Sequence, residues 1–173
     1  ASAVVVTSIE RARDCPHKPV KILSGSSEWY RQQYINPPRY DEVGDIGKDA
    51  FLRTFAAAGL TAMDIDIYEL YDINTWEVVR QFEVMGLCDE GEGVDFLHEN
   101  GIGWDQKFPT NTDGGLLSFS HTGWGGPTLK IVEAVNQLRG TAASGQVQKA
   151  ETALVTGAGS GAQYFNTAIL SVD

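Results

Sequence analysis

Residues 64–71 read Asp-Ile-Asp-Ile-Tyr-Glu-Leu-Tyr and largely alternate polar with apolar side chains. This alternation predicts a β-strand, because successive side chains of a strand point to opposite faces. Helical spacing follows over residues 75–86, where apolar side chains recur every three residues from Trp76 to Phe82 and Gly86 is placed to end the helix. A strand followed by an amphipathic helix indicates an α/β domain.

The same patterns predict the elements on either side of this unit. Apolar or alternating runs predict further strands at residues 3–7, 19–23, 151–156 and 164–172. Capping residues and helical spacing predict helices at residues 8–13, 51–58 and 128–138, the last with Pro127 in its first turn. A short loop joins the last two strands, which are therefore antiparallel. We predict an α/β fold with a five-stranded mixed sheet and helices on both faces.

The composition excludes several classes of protein. The 173 residues include 13 Lys and Arg against 23 Asp and Glu, a net charge of −10 that repels nucleic-acid backbones. The length fits one domain. There is no apolar run of about 18 residues, the length that a membrane span needs. Two cysteines, Cys15 and Cys88, are too few for a disulfide scaffold and predict reduced thiols in the cytoplasm.

Three loops rich in glycine are candidate binding segments, at residues 111–115, 120–127 and 157–161. Glycine lets a backbone approach a ligand closely, although each loop alone is also explained as a tight connection. The third loop precedes a β-rich segment rather than a helix, so it is not a dinucleotide-binding fingerprint. The three histidines lack the spacing of metal ligands, and we expect no metal site.

His121 is the histidine with a chemical context. It lies in a glycine-rich turn just before a predicted helix N-terminus, where N–H groups and the helix dipole favour developing negative charge. This position suits a catalytic histidine, and a structural role remains the alternative. His17 and His98 are predicted to be solvated surface residues.

Five short motifs follow one another along the chain. They are Glu69-Leu70-Tyr71-Asp72, Phe82-Glu83-Val84-Met85-Gly86-Leu87, Asn111-Thr112-Asp113-Gly114-Gly115, Ser120-His121 and Gln137-Leu138-Arg139-Gly140. Motifs of these kinds occur in thiolases in the same order and at similar separations. Over nearly its whole length the chain resembles the C-terminal half of a thiolase, and it is similar to the sterol-carrier-protein type and its thiolase-like relatives.

The resemblance implies how the molecule is organised. Thiolases consist of two similar βαβαβαββ halves, and the nucleophilic cysteine belongs to the N-terminal half. Residues 1–173 would then form a C-terminal domain whose N-terminal half is absent from this chain. A predicted strand at the very first residues also suggests a piece of a longer protein, inactive on its own. The implied substrate is a coenzyme A thioester, with no covalently bound cofactor. Neither cysteine lies at a family catalytic position, and Cys88 is predicted to be a structural thiol.

The resemblance also implies the site. The implied catalytic residues are Tyr71, which stands where the family places His or Asn, and His121. The implied substrate-binding and CoA-binding residues are Asn111, Gly114, Gly115, Ser120, Trp124, Gly159 and Gly161. The positions where the family carries a second thiol are Gly159 and Ile73, and neither has a titratable group. We expect the predicted strand to be central in the sheet, with Tyr71 emerging at its carboxyl end beside His121.

Loss of the second thiol impairs classical Claisen chemistry. The pattern therefore favours retro-aldol cleavage of a β-hydroxyacyl-CoA, as in thiolase-like aldolases of steroid side-chain degradation, over acyl transfer. A non-catalytic acyl-CoA-binding or lipid-binding subunit is the alternative. The implied partners are acyl-CoA, the N-terminal half, a second copy in a homodimer, and an OB-fold protein with a zinc ribbon. The aromatic segment 29–40 is a candidate partner surface, and equally a lid or packed loop.

Overall fold

The computed structural model of the protein describes residues 2–29, 45–119, 121–159 and 164–172. Its strands are β1 (Lys21–Trp29), β2 (Ile67–Glu69), β3 (Thr152–Gly159) and β4 (Tyr164–Ser171). Its helices are α1 (Ile9–Ala12), α2 (Lys48–Ala58), α3 (Thr75–Val84), α4 (Gly93–Asn100), α5 (Gly115–Phe119) and α6 (Gly126–Arg139). Short 3₁₀ turns occur at Ala62–Asp64 and Gly123–Gly125.

The strands form one mixed sheet in the order β1-β4-β3-β2. β4 pairs antiparallel with both β1 and β3, whereas β2 and β3 are parallel. The predicted antiparallel pairing of the last two strands is confirmed, and it places Thr156 directly opposite Thr167. The α/β class and the mixed character of the sheet therefore agree with the prediction.

The predicted number of strands is wrong, because the described part of the chain has a four-stranded sheet rather than a five-stranded one. Residues 3–7 adopt no regular secondary structure, and the side chain of Val5 is 94% exposed. A run of β-branched residues becomes a strand only when another strand satisfies its backbone hydrogen bonds. Within the described ranges, the sheet ends at β1 and leaves this run unpaired.

β1 and β2 also differ from the sequence-based expectation. β1 continues to Trp29, beyond the predicted end at residue 23, because β4 pairs with it as far as Tyr164. β2 is the last of the four strands rather than a central one. A loop segment covers its outer edge: the Tyr68 N–H donates to the Pro109 carbonyl at 2.8 Å, and the Asn111 N–H donates to the Tyr68 carbonyl at 2.9 Å.

The core lies on both faces of the sheet. Tyr68 and Leu70 point to one face, and they pack there with side chains of α2, α3, β3 and β4. Ile67 points to the opposite face, where Ala134 and Leu138 of α6 cover it. The predicted helices on both faces are therefore confirmed, and the alternation over residues 67–70 separates the two layers.

The predicted helices occur as α1, α2, α3 and α6, and their ends follow known capping chemistry. The Ser8 side chain accepts a hydrogen bond from the Arg11 N–H, Gly59 closes α2 with φ +69°, and Pro127 lies in the first turn of α6. Sequence analysis missed α4 and α5. No helix within the described ranges is long and apolar enough to cross a membrane.

Phe82 is the best test of the core. It is fully buried, with its ring centroid 5.6 Å from that of Tyr68, 6.0 Å from that of Phe108 and 6.1 Å from that of Phe96. Phe82→Ala should lower the free energy of unfolding by about 3–5 kcal/mol, because it removes a buried ring and leaves a cavity. Urea denaturation measures this loss.

Leu52→Ala is the control, because Leu52 on α2 is 62% exposed. Its effect should stay within about 0.5 kcal/mol. Equal losses for the two variants would contradict the assignment of Phe82 to the core.

Candidate active site

Two predicted catalytic side chains meet at the carboxyl end of β2. Tyr71 lies two residues beyond this strand, and His121 lies between α5 and α6. The Tyr71 Oη and the His121 Nε2 are 3.2 Å apart, and the two rings meet edge to face at 78°. The side chain of Tyr71 is 6% exposed, whereas His121 is exposed. The pair therefore lies where the core meets the solvent. The prediction that Tyr71 emerges at the carboxyl end of the strand beside His121 agrees with this geometry, and the catalytic role of the pair stays a prediction.

A second hydrogen bond determines which atom of the pair donates. The Gly123 N–H donates to the His121 Nδ1 at 3.3 Å, so this nitrogen acts as an acceptor. A neutral imidazole then carries its hydrogen on Nε2, which donates to the Tyr71 Oη. With this tautomer, the phenolic hydrogen of Tyr71 is not used in the bond to His121, and it can be donated to an acceptor oxygen of a bound ligand.

Burial raises the pKa of Tyr71, and the negative charges of the Glu77 and Asp72 carboxylates raise it further. A phenol with a raised pKa is neutral at physiological pH. Tyr71 is therefore suited to donate a hydrogen bond or a proton, and not to act as a phenolate base.

Tyr164 is a third polar group at this site, and sequence analysis missed it. It begins β4 directly opposite Gly159, the last residue of β3. A Cβ added at Gly159 would collide with the Tyr164 Oη, so the phenol occupies the space where a side chain at position 159 would project. The sequence resemblance predicted Gly159 as one of the two positions of the family's second thiol, and this correspondence stays a prediction. The structure shows that the Tyr164 hydroxyl occupies the space beside this position.

Asn111 and the glycines after it shape the backbone beside β2. The Asn111 Oδ1 accepts a hydrogen bond from the Leu70 N–H at 2.8 Å, and the Gly114 N–H donates to the Asn111 carbonyl at 2.8 Å. Gly115 has φ +66°, and a Cβ there would collide with the Asp72 Oδ2. Only glycine fits this position without strain. Binding of CoA by Asn111, Gly114 and Gly115 remains a prediction.

A buried ion pair lies beneath the site. The Lys130 Nζ is 3.0 Å from the Asp72 Oδ1, and both side chains are almost fully buried. The Asp72 carboxylate also accepts hydrogen bonds from the Leu116 N–H at 3.1 Å and the Leu117 N–H at 3.3 Å. One carboxylate therefore joins the end of β2 to α5 and α6, the two helices that flank His121.

Glu69 adds a second buried carboxyl group next to Lys130. Its Oε2 is 3.8 Å from the Lys130 Nζ, and its Oε1 accepts a hydrogen bond from the Thr112 N–H at 3.1 Å. Burial raises the pKa of Glu69 to about 8, because the positive charge of Lys130 only partly offsets the loss of hydration. Glu69 is therefore largely protonated at neutral pH.

The remaining predicted site residues are distributed as follows. Ser120 and Gly161 lie outside the described residues, as do positions 30–40 of the aromatic segment, and the side chain of Trp124 is also not described. His17 and His98 are exposed, as predicted. Cys88 is half-buried, in agreement with a structural thiol, and burial raises its pKa to about 11. No cluster of His, Cys, Asp and Glu within the described ranges could hold a metal ion.

The raised pKa of Glu69 predicts how stability depends on pH. The folded protein keeps a proton on Glu69 up to about pH 8, whereas the unfolded chain releases it near the ordinary value of 4.5. Stability should therefore fall as the pH rises between these two values, by on the order of a few kcal/mol, and the loss should be complete above pH 8.

Glu69→Gln should flatten this dependence, because its amide does not titrate. Urea denaturation at pH 5.5, 7 and 8.5 measures the slope, and Glu99→Gln, a change at an exposed residue of α4, is the control. If Glu69→Gln has the same slope as the unaltered protein, Glu69 does not titrate in this range.

Comparison with known proteins agrees with the sequence motifs. The family described as Thiolase C-terminal domain-like matches residues 44–172. The chain is 36% identical to a 17-hydroxy-3-oxo-4-pregnene-20-carboxyl-CoA lyase of Mycobacterium tuberculosis, over 93% of this chain and 41% of the relative. It is 35% identical to a steroid side-chain-cleaving aldolase of Thermomonospora curvata, over 80% of this chain and 36% of the relative.

A solved structure described as an Ltp2-ChsH2(DUF35) aldolase superposes with a TM-score of 0.76 at 30% identity. The match covers 94% of this chain and 42% of that chain. The protein described here thus spans about two fifths of the length of these relatives. The motifs, the fold and these matches agree, and the chain belongs to the thiolase C-terminal domain-like family.

Proposed function

We propose that the protein carrying this chain cleaves a β-hydroxyacyl-CoA by a retro-aldol reaction. The observation that carries this proposal is the Tyr71–His121 pair, in which a neutral phenol accepts a hydrogen bond from the imidazole and keeps its own hydrogen available. At the two positions of the family's second thiol the chain has Gly159 and Ile73. Two relatives with more than 30% identity, described as a lyase and an aldolase, support the same class of reaction.

The reaction needs a proton donor where negative charge develops. The β-hydroxyl transfers its proton to a base, the Cα–Cβ bond breaks, and the bonding electrons move onto Cα and the thioester oxygen as an enolate. The former hydroxyl carbon leaves as a ketone or aldehyde, and a proton added to Cα completes the shortened acyl-CoA. The Tyr71 hydroxyl would donate to the thioester oxygen, and His121 would support the phenol while it does so.

Exposed apolar side chains on α3, on β1 and on the segment after β2 favour an apolar acyl group. Ile73 is half-exposed two residues after Tyr71, and Trp76 is half-exposed at the start of α3. Trp29 is exposed at the end of β1, with its ring centroid 5.6 Å from that of Tyr164. Large exposed apolar side chains are suited to contact with an apolar ligand. We therefore propose a bulky, lipid-like or steroid-like acyl chain.

Tyr71→Phe tests the reaction, because it removes only the phenolic oxygen and keeps the ring. Loss of one donor to a developing oxyanion should lower kcat about 10²–10³-fold. His121→Ala should also remove most turnover, because the phenol loses its supporting donor. The assay is cleavage of a β-hydroxyacyl-CoA, run beside CoA-dependent thiolysis of a β-ketoacyl-CoA, with the whole protein.

Tyr68→Phe is the matched control. Tyr68 lies three residues earlier, and its hydroxyl donates to the Ala62 carbonyl at 2.6 Å inside the core. This variant should lose about 1 kcal/mol of stability and keep its turnover. Thiolysis that is indifferent to Tyr71→Phe would instead support acyl transfer. Binding of acyl-CoA without either reaction would support the non-catalytic lipid-binding alternative.

We also propose that this chain associates with another protein chain or domain. Several apolar side chains are exposed on the N-terminal segment and on β1: Val5, Val6, Ile22, Leu23 and Trp29. Soluble monomers rarely expose contiguous apolar patches larger than a few hundred Å². The implied partners are an N-terminal thiolase half, a second copy, and an OB-fold protein with a zinc ribbon, and the description of the Ltp2-ChsH2(DUF35) structure names two components.

Light scattering coupled to size-exclusion chromatography tests the association. The purified chain should elute with a mass greater than its own 18.8 kDa, either as a self-associated species or after co-expression with a partner. Ile22→Asp should lower that mass, because it places a charge among the exposed apolar side chains, whereas Leu52→Asp on α2 should leave it unchanged. A stable monomer that captures neither a second copy nor a co-expressed partner would contradict the proposal.

A further inference from the structure

The backbone of Tyr71 is closed into a ring of hydrogen bonds with two buried side chains. The Tyr71 N–H donates to the Thr156 Oγ1 at 2.8 Å. The Thr156 hydroxyl donates to the Gln81 Oε1 at 2.6 Å. The Gln81 Nε2 donates to the Tyr71 carbonyl at 2.8 Å and so returns to the residue where the ring begins.

The direction of each bond in this ring is determined. The Thr156 hydroxyl has one hydrogen, and it accepts from the Tyr71 N–H, so its own hydrogen goes to the Gln81 side-chain oxygen. The Gln81 amide nitrogen then faces the Tyr71 carbonyl, and it also donates to the Glu77 carbonyl at 2.7 Å. Gln81 and Thr156 are both almost fully buried, so water does not compete for these bonds.

The ring satisfies backbone groups that lie beyond the end of the β2–β3 pairing. The β2–β3 pairing ends at Glu69 and Val155, two residues before Tyr71. The Tyr71 N–H and carbonyl lie beyond that ladder, and the ring satisfies both of them with side chains from β3 and α3. Two separate elements, β3 and α3, thus set the position of one residue. Because the side chain starts from this backbone, they also determine where the phenol meets His121.

We infer that Gln81 and Thr156 are positioning residues for Tyr71. They hold its backbone so that the phenolic oxygen lies at hydrogen-bond distance from the His121 Nε2, and they act through Tyr71 without touching substrate. The kinetic consequence rests on the proposed function, whereas the geometric consequence does not. A structural experiment can therefore test the inference separately from catalysis.

Thr156→Val tests the ring by replacing one hydroxyl with a methyl group of similar size. It leaves the Tyr71 N–H and the Gln81 side-chain oxygen without their partner. A small misplacement of a catalytic group is costly, so kcat should fall by about 10-fold or more while KM for the acyl-CoA changes little. Thr156→Ser restores the hydroxyl and should restore kcat. Gln81→Met removes the amide from the other side of the ring and should act in the same way.

Thr167→Val is the matched control. Thr167 lies directly opposite Thr156 on β4, it is also buried, and its hydroxyl bonds with the Thr54 hydroxyl and the Ala50 carbonyl instead of the ring. It should lose comparable stability and keep its kcat. If Thr156→Val and Thr167→Val lower kcat equally, or if Thr156→Ser fails to restore it, the positioning role is overturned.

Nuclear magnetic resonance of ¹⁵N-labelled histidine gives a readout that needs no activity. The His121 Nε2 signal is identified by its loss in His121→Ala. Tyr71→Phe then shows how its chemical shift changes when the phenolic hydroxyl is absent. Thr156→Val and Gln81→Met should displace the signal in that same direction, and Thr167→Val should not. A signal that stays in place in both ring variants overturns the inference. A displaced signal in a protein that has no lyase activity supports the positioning role and contradicts the proposed retro-aldol reaction.

Discussion

The contact between Asp72 and Lys130 is the constraint on which the rest of the site depends. Both groups are almost fully buried and lie 3.0 Å apart. Removing one partner of such a pair leaves an uncompensated charge in the core, at a cost of about 3–5 kcal/mol. The same carboxylate accepts hydrogen bonds from the first turn of α5, and a side chain at Gly115 would collide with it. The end of β2, the start of α5 and the middle of α6 therefore cannot move independently.

Tyr71 is held on one side by this charged group and on the other by neutral hydrogen bonds. Asp72, the next residue, contacts α5 and α6 through its carboxylate. The Tyr71 backbone is hydrogen-bonded to β3 and α3. The phenol therefore leaves the sheet from a rigid base and reaches an exposed histidine on a connecting segment. Rigid support beneath one partner and solvent access at the other is the arrangement that a site for an incoming ligand requires.

Burial gives the site its chemical character. It raises the pKa of Tyr71 and the pKa of Glu69, so both groups are neutral over much of the physiological range. A neutral phenol supported by an imidazole is a donor, and a donor is what a developing enolate oxygen needs. The hydroxyl of Tyr164, which fills the space beside Gly159, makes the site richer in phenols and leaves no room for a side chain at that position.

The sequence by itself determined the α/β class, four of the helices and the antiparallel ending of the sheet, because these features follow from local periodicity, capping residues and a short final loop. The expectation that Tyr71 lies beside His121 came from the resemblance to thiolase motifs and not from local periodicity. The sequence did not determine the number of strands: residues 3–7 have strand-like composition, but no neighbouring strand satisfies their backbone within the described ranges. It also missed α4, where Phe96 packs with its ring centroid 5.2 Å from that of Phe108.

Only the tertiary structure decided the details of the site. Tyr71 and Thr156 are 85 residues apart in the chain, and Tyr71 and His121 are 50 apart. Tyr164 approaches Gly159 because β3 and β4 pair in one register. The sequence pattern around each residue is the same whether or not these partners meet. Their contacts arise when the two faces of the sheet are covered and the buried polar groups must find partners, because an unpaired polar group in the core is costly.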